Sequence, residues 1–164
     1  MSNQFPHPFG KLASQYRELR RKLPVQVSAI AVQDFKENFK RQGYQGESGA
    51  VIFWKPRKTD RKVARRALLI KSGRLRRSLR AAPTYNDARV VTDVPYAEVH
   101  NEGFKGTVSV KAHTRARAKR AGAKIRAHRR AMNIPARPFM ITTKPLMDRI
   151  EKHLFTELEK IFPS

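Results

Sequence analysis

The sequence predicts an α+β domain in which amino-terminal helices and a carboxy-terminal amphipathic helix pack on a small, mostly antiparallel β-sheet. Apolar residues recur at helical spacing near both ends of the chain, and short alternating segments bounded by Gly, Pro and Asn occupy its middle. The chain has 164 residues, so one domain spanning 1–164 is expected. We divide it into a helical region (1–43), a core (44–111 and 131–164) and a protruding basic arm or hairpin (112–130).

The amino-terminal region carries two helical patterns separated by a proline. The first runs from about Lys11 to Leu23, and Pro24 either interrupts the helix or starts the next one, since proline fits the first helical turn. Gly43 is expected to end the second helix. The second pattern repeats an apolar residue every four positions, which makes one apolar stripe: Val27, Ala31, Phe35 and Phe39.

Glycines and a basic run break the helical pattern in the next segment. Residues 44–62 are expected to form a loop with a short apolar anchor at Phe53 and Trp54. Two short strands, within 78–85 and 88–94, are predicted around a Tyr-Asn-Asp turn. Four leucines of this region are expected to be buried: Leu68, Leu69, Leu75 and Leu79.

The second half begins with the stretch PYAEVHNEG, for which we predict one or two helical turns closed by Gly103. Alternation around Val108 and Val110 predicts a strand. Within the basic arm, alternating Ala and Arg fit a strand, but Ala, Arg and Lys are also good helix formers, so hairpin and helix both stay open. A short strand is expected at 139–141.

The last segment gives the clearest helical pattern. Thr142 or Thr143 can cap the helix, and Pro145 suits its first turn. The apolar residues Met147, Phe155, Ile161 and Phe162 lie beside a row at i, i+4 spacing that should face the core. The row consists of Leu146, Ile150, Leu154 and Leu158.

Positive charge is concentrated in two stretches. The chain has 36 Lys and Arg against 13 Asp and Glu, a formal net charge of +23. Residues 55–80 hold 12 of these cations and one acid, and residues 103–147 hold 12 and no acid. Such density repels itself, so partners of opposite sign are expected, either nucleic-acid phosphates or acidic protein surfaces. The arm residues expected to make this contact are Lys111, Arg115, Arg117, Lys119, Arg120, Lys124, Arg126, Arg129 and Arg130.

One cluster, made of Tyr96, Glu98, His100 and Glu102, could be acid–base machinery. The two carboxylates would share one side of a helical turn while His100 projects elsewhere, and no second cluster completes a site. Ser72 lies in IKSGRL, which lacks the spacing of a phosphate-binding loop. The chain has no cysteine and therefore no thiolate metal site. We expect no catalytic residue, no metal site and no cofactor.

The same stretch has a structural interpretation. Tyr96 and Val99 lie three positions apart and would share a buried face, while His100 or Asn101 could bond to backbone at the turn. Gly103 would take a positive φ. Ser72 and Gly73 would likewise form a turn or cap rather than a nucleophilic site.

Three motifs then stand in order, namely LIKSGRLRRSL at 69–79, PYAEVHNEG at 95–103 and IPARPFM at 134–140, followed by the terminal amphipathic helix. This order resembles the tailed-phage virion-morphogenesis or tail-completion family of the Mu-like type, and FWKPRK resembles its upstream Trp-x-Pro segment. The resemblance covers 46–162, with an unusually long basic arm as the departure. The positions that match the family motifs are Ser72, Gly73, Leu75, Ser78, Tyr96, Ala97, His100, Asn101, Gly103, Pro135, Ala136, Arg137, Pro138 and Phe139.

The resemblance implies a structural protein without catalysis at the head–tail junction, as a neck, tail-completion or tail-terminator component. Its copies would form a ring, a hexamer or dodecamer, contacting portal or connector proteins and tail-tube or tail-terminator proteins. It would be assembled in the host bacterial cytoplasm and reside in the virion, and we expect no membrane contact. The arm would reach acidic faces of the adjoining ring, which we favour, or DNA phosphates. The alternative is a basic nucleic-acid-binding protein that is not part of a virion.

Overall fold

The computed structural model describes residues 8–57, 67–114 and 122–162. Within these ranges the chain forms four helices and four separate two-stranded antiparallel sheets, which confirms the α+β prediction, although the strands do not join into one sheet. The elements are α1 (Pro8–Arg41), β1 (Gly43–Gln45), β2 (Val51–Phe53), α2 (Arg74–Ser78), β3 (Arg80–Ala81), β4 (Val90–Val91), α3 (Ala97–Glu102), β5 (Phe104–Val110), β6 (His113–Thr114), β7 (Lys124–Ile125), β8 (His128–Ile134) and α4 (Lys144–Glu159).

Helix α1 runs for 34 residues straight through Pro24, so the two predicted amino-terminal helices are one. Proline removes one helical hydrogen bond, yet burial on both sides of it holds the helix together. Leu19, before the proline, is buried and lines a small cleft with Ile161 beyond α4. Phe39, after the proline, is fully buried in the core. The helix ends at Arg41 rather than at a glycine, because Gln42 takes the positive φ of 58° that closes it.

Strands β1 and β2 form a short hairpin where a loop was predicted. Gly43 pairs with Phe53 and Gln45 with Val51. Neighbouring side chains of an extended chain point to opposite sides, and Trp54 is therefore buried while Phe53 is 72% exposed. The predicted anchor at Trp54 is confirmed and the one at Phe53 is wrong.

The core lies where α1, α2, α4 and the segment before α4 meet. Phe39 packs against Phe139 with ring centroids 5.1 Å apart and against the edge of Trp54 at 5.7 Å. Leu75 and Leu79 of the α2 region are buried, as predicted, whereas the predicted Leu68 and Leu69 are half-buried against this cluster. The other buried members are Phe35, Val94, Ala97, Leu146 and Ile150.

Three antiparallel pairings follow α2 in the described part of the chain. The predicted strands around the Tyr-Asn-Asp turn are confirmed as β3 and β4, with Arg80 opposite Val91. Strands β5 and β8 pair over seven positions, from Phe104 opposite Ile134 to Val110 opposite His128. Strands β6 and β7 pair with each other beyond the Val110–His128 end of this ladder. The described flanks of the basic arm are therefore paired strands and not a helix, while residues 115–121 lie outside the described ranges.

The carboxy-terminal helix agrees with its prediction in most respects. It starts after Thr143, although the threonine side chain makes no cap hydrogen bond, and it carries a proline in its first turn. Leu146 and Ile150 are buried, but Phe155 is 65% exposed and Met147 is 41% exposed. None of the helices in the described ranges combines the length and the apolar character that a membrane crossing needs.

Candidate functional site at the motif junction

Residues 135–140 pass through the core without regular secondary structure, and we call them the strap. A strand predicted at 139–141 is therefore wrong. Prolines at 135 and 138 have no N–H to give to a strand ladder. Phe139 is nevertheless fully buried, so the backbone around it needs hydrogen-bond partners from elsewhere.

Side chains from two distant segments bond to the carbonyl groups of the strap. The indole Nε1 of Trp54 donates to the Pro138 carbonyl at 2.9 Å. The buried amide of Asn38 donates to the Phe139 carbonyl at 3.2 Å. Asn38 was not predicted as important, but it follows Phe35 by three positions and therefore lies on the apolar stripe of α1. A polar residue on such a stripe is the signal that could have identified it.

Helix α3 bonds to the N–H groups of the strap. Asn101 Oδ1 accepts hydrogen bonds from the backbone N–H of Phe139 at 3.0 Å and of Met140 at 2.9 Å, and its Nδ2 donates to the Met140 carbonyl at 3.4 Å. The N–H of Arg137 donates to the His100 carbonyl at 2.9 Å. The expectation that Asn101 bonds to backbone is thus met on the strap and not within its own turn. The second and third sequence motifs meet here.

Gly103 lets the chain turn from α3 into β5 directly against the strap. It has φ 84° and ψ 170°, a conformation that is essentially restricted to glycine. A Cβ atom at this position would lie 2.8 Å from the Ala136 nitrogen and 3.0 Å from the Ile134 carbonyl oxygen. The predicted positive φ is confirmed, and the glycine also permits a close approach of two backbones just after Pro135.

The first motif forms a turn followed by the short helix α2. Gly73 precedes the helix with φ 66°, and the Ser72 carbonyl accepts a hydrogen bond from Arg77 Nη2 at 2.9 Å. The Ser78 hydroxyl lies 2.6 Å from the Thr92 hydroxyl and donates to the Leu75 carbonyl at 2.8 Å. Ser72 and Gly73 are therefore turn residues, as the structural interpretation predicted.

The aromatic residue of the second motif lies differently from its prediction. Tyr96 is 41% exposed, and its ring stacks edge-on against His100 with centroids 5.8 Å apart. Helix α3 begins only at Ala97, so the helical spacing that would bury Tyr96 beside Val99 does not apply to it. The buried residues of this stretch are Val94 and Ala97.

A cavity of about 280 Å³ opens where the three motifs converge, and it is lined by Arg57, Leu68, Leu69, Lys71, Ser72, Leu75, Tyr96, His100 and Arg137. Burial, and then the charge of Arg137, lower the pKa of His100. Burial, and then the charge of Arg57, lower the pKa of Arg137. Glu98 and Glu102 are exposed and do not line the cavity, so the acidic and imidazole groups of this stretch do not converge. In the described part of the chain no group of three His, Cys, Asp or Glu residues could hold a metal ion.

The described cations of the basic arm are solvent-exposed, and they are Lys111, Lys124, Arg126, Arg129 and Arg130. None of them takes part in an ion pair with the residues that the structure describes. The other predicted contact residues fall outside the described ranges, and they are Arg115, Arg117, Lys119 and Arg120.

Most of the motif residues thus serve packing and backbone hydrogen bonding, and the described cations of the arm are exposed and make no ion pair with the described residues. The chain belongs to the phage virion morphogenesis family, whose model matches residues 3–159. The match confirms the predicted family and gives the protein a role in building a phage virion, while the Mu-like type stays a prediction. Comparisons with curated proteins and with solved structures gave no match.

Proposed function

We propose that this protein acts at the head–tail junction of a tailed phage, where its copies form a ring of six or twelve and serve a structural, non-catalytic role. The ring would join the portal or connector to the tail tube or tail terminator after synthesis in the bacterial cytoplasm. Family membership supports the virion role. The observation that carries the docking proposal is an exposed basic ribbon, which we define as the described residues 104–114 and 122–134.

The ribbon lacks the packing that would make it stable alone. Side chains alternate along its strands, so Arg129 lies on one face with Lys105 and Ser109, while Arg130 lies on the other with Val108. Both faces therefore carry cations and both are largely exposed. A two-stranded ribbon is marginal in water, and its outer edges leave backbone groups unpaired. A partner surface would supply the missing contacts.

The charge of the ribbon indicates an acidic partner. Its described residues contain six cations and no acid, namely Lys105, Lys111, Lys124, Arg126, Arg129 and Arg130. In a ring, each copy would add its ribbon to one belt of positive potential, which steers and orients an oppositely charged surface. We favour an acidic ring of a neighbouring virion protein over DNA, because a strongly cationic channel would hold DNA that must later leave.

Charge neutralisation within the ribbon tests this proposal. We would replace Lys124, Arg126, Arg129 and Arg130 by Gln and add the purified variant to heads and tails made without this protein. Joined particles would be counted by electron microscopy and by infectious titre. The ribbon variant is expected to lose joining, since unpaired rim charges set association rates.

A matched control removes the same amount of charge elsewhere. Arg21, Lys40, Arg74 and Arg80 are exposed and make no ion pair with the described residues, so their replacement by Gln lowers the net charge equally. The control is expected to join heads and tails normally. Normal joining by the ribbon variant would overturn the docking proposal.

DNA contact is the second candidate, favoured by the same positive charge. Affinity of the two variants for duplex DNA would be measured over a series of salt concentrations, because each phosphate contact adds to the salt dependence. Equal loss of DNA affinity in both variants would mark the binding as non-specific. A selective loss in the ribbon variant, with joining intact, would instead assign the ribbon to DNA.

A further inference from the structure

Arg137 is a buried cation without a carboxylate partner. Its residue is only 7% exposed, its Nε donates to the Lys55 carbonyl at 3.2 Å, and no acidic residue of the described ranges forms an ion pair with it. Arginine is almost never fully buried unless it is paired, since the lost hydration of a charge must be offset. One carbonyl contact leaves most of the five guanidinium donors available.

The cavity at the motif junction has several cationic lining residues. Arg57, Lys71 and Arg137 line it together with Ser72 and His100, and none of its described lining residues is acidic. Burial, and then the charge of Arg57, lower the pKa of Arg137. The Nδ1 atom of His100 is buried and has no hydrogen-bond partner in the described structure. Among the described residues, Arg137 therefore has no anionic partner and the His100 Nδ1 atom has no hydrogen-bond partner.

Apolar residues also line the cavity. Leu68, Leu69 and Leu75 line it, with the ring of Tyr96 beside them. A guest must therefore combine a short apolar stem with a negative end. Glutamate and aspartate side chains have this form, and the planar guanidinium fork matches a carboxylate in two parallel hydrogen bonds. A DNA phosphate is joined to sugars on two sides, which fits poorly into a cavity of about 280 Å³ with leucines in its wall.

We infer that this cavity receives the carboxylate side chain of a neighbouring protein subunit, with Arg137 as the main contact and Lys71 at its rim. One residue or more from each of the three motifs lines the cavity, so their convergence builds a binding site as well as a fold. The inference is independent of the ribbon and would hold for a virion position other than the head–tail junction.

Small carboxylates test the site on the free protein. N-acetylglutamate would be titrated while the Cε1–H signal of His100 is followed by NMR, with the signal assigned by comparison with His100→Gln. The expected result is a saturable shift with a Kd in the millimolar range and a higher pKa of His100, because a nearby anion favours the imidazolium. N-acetylglutamine, which lacks the charge, is expected to give no saturable shift.

Three results would overturn the inference. The first is the absence of saturation by N-acetylglutamate, and the second is an equal response to N-acetylglutamine. The third is tighter binding of inorganic phosphate than of N-acetylglutamate, which would make the cavity a phosphate site.

Two matched variants test whether N-acetylglutamate binds in this cavity. Lys71→Gln and Arg74→Gln remove one exposed charge each from the same motif, but only Lys71 lines the cavity. Lys71→Gln is expected to weaken N-acetylglutamate binding about two- to fivefold, as an exposed charge pair does, and Arg74→Gln is expected to leave it unchanged. Equal effects of the two variants would overturn the assignment.

Substitutions of Arg137 itself give the larger effect. Arg137→Gln is expected to abolish saturable binding, and Arg137→Lys is expected to weaken it, because lysine keeps the charge but loses the fork. Circular dichroism checks that each variant is folded. If the Arg137 variants do not fold, the comparison of Lys71→Gln with Arg74→Gln alone tests whether the carboxylate binds in this cavity. Wild-type affinity in a folded Arg137→Gln would contradict the inference.

Discussion

Asn101 Oδ1 lies 3.0 Å from the backbone nitrogen of Phe139, and the same oxygen accepts the N–H of Met140 at 2.9 Å. One side-chain oxygen thus satisfies two backbone donors of the strap beside the fully buried Phe139 ring. A strand would have satisfied these donors by a ladder, but the prolines of the strap prevent one. Helix α3 is consequently fixed to the core by this amide.

Replacing Asn101 by Ala is expected to lower the free energy of unfolding by about 2–4 kcal/mol, because two backbone N–H groups lose their acceptor in a part-buried site. Urea unfolding followed by tryptophan fluorescence measures this, since Trp54 is the one tryptophan of the chain and bonds to the strap. Asn101→Asp keeps the Oδ1 acceptor but places a second carboxylate oxygen against the Met140 carbonyl in place of the Nδ2 donor, so it should still lose less stability than Asn101→Ala. Equal losses in both variants would contradict the role given to Oδ1.

Gly103→Ala is expected to destabilise the protein by about 2–4 kcal/mol, for two reasons. Alanine is strained at φ 84°, and its Cβ atom would lie only 2.8 Å from the Ala136 nitrogen. Gly122 is a matched control because it has φ 83° and no atom within 4 Å of the added Cβ. Gly122→Ala should therefore cost only about 1 kcal/mol from backbone strain. Thermal unfolding of both variants compares the two costs, and similar shifts in Tm would show that the close approach has no energetic weight.

The spacing of apolar residues along the chain correctly predicted the helices whose buried residues recur at a regular interval. The stripe that includes Phe35 and Phe39 lies in α1, and Leu146 and Ile150 are buried in α4, because a helix that packs on one side repeats its apolar residues at that interval. The turn at Gly103 was predictable for a different reason, since a glycine after a short helical pattern commonly takes a positive φ.

The strap could not be predicted in this way. Its hydrogen bonds join residues far apart in sequence, such as Trp54 with Pro138, and no local pattern encodes them. Arg137 was likewise predicted as a motif residue, but its burial was not predicted. The guanidinium is buried against the Lys55 carbonyl only because the tertiary structure brings these two distant residues together. The prediction placed Tyr96 inside a helix, but helix α3 begins one residue later, at Ala97. The predicted burial of Tyr96 is therefore wrong, because it depended on that helix boundary.

Asp34 joins α1 to α4, and its removal should weaken that contact. Its carboxylate is 5% exposed and accepts a hydrogen bond from Arg149 Nη2 at 2.9 Å. Asp34→Ala is expected to lower the free energy of unfolding by about 1.5–3 kcal/mol, the range for hydrogen bonds to charged groups. The ion pair of Asp87 with Arg89 has a similar length of 2.8 Å but is more than half exposed, so Asp87→Ala should cost less than about 1 kcal/mol. Urea unfolding that ranks the two variants in the opposite order would refute the role of burial.

His100 should make the stability of the protein depend on pH near neutrality. Burial and the charge of Arg137 lower the pKa of His100 below its ordinary value of about 6.5, so the folded protein binds fewer protons than the unfolded chain in this range. Stability then rises with pH wherever the unfolded state binds more protons. The contribution of His100 to the free energy of unfolding is therefore complete above a pH of about 6.5. It is lost as the pH falls from there to the lowered pKa that His100 has in the folded state.

The measurement is the free energy of unfolding of the wild type and of His100→Gln between pH values of about 7.5 and 5.5. The wild type should lose more stability on acidification than the variant, because glutamine takes up no proton and the remaining histidines titrate in both proteins. Carboxylate buffers are avoided, since an anion in the cavity would raise the pKa of His100 and mask the effect. Parallel pH profiles for the two proteins would show that the lowered pKa of His100 has no thermodynamic consequence.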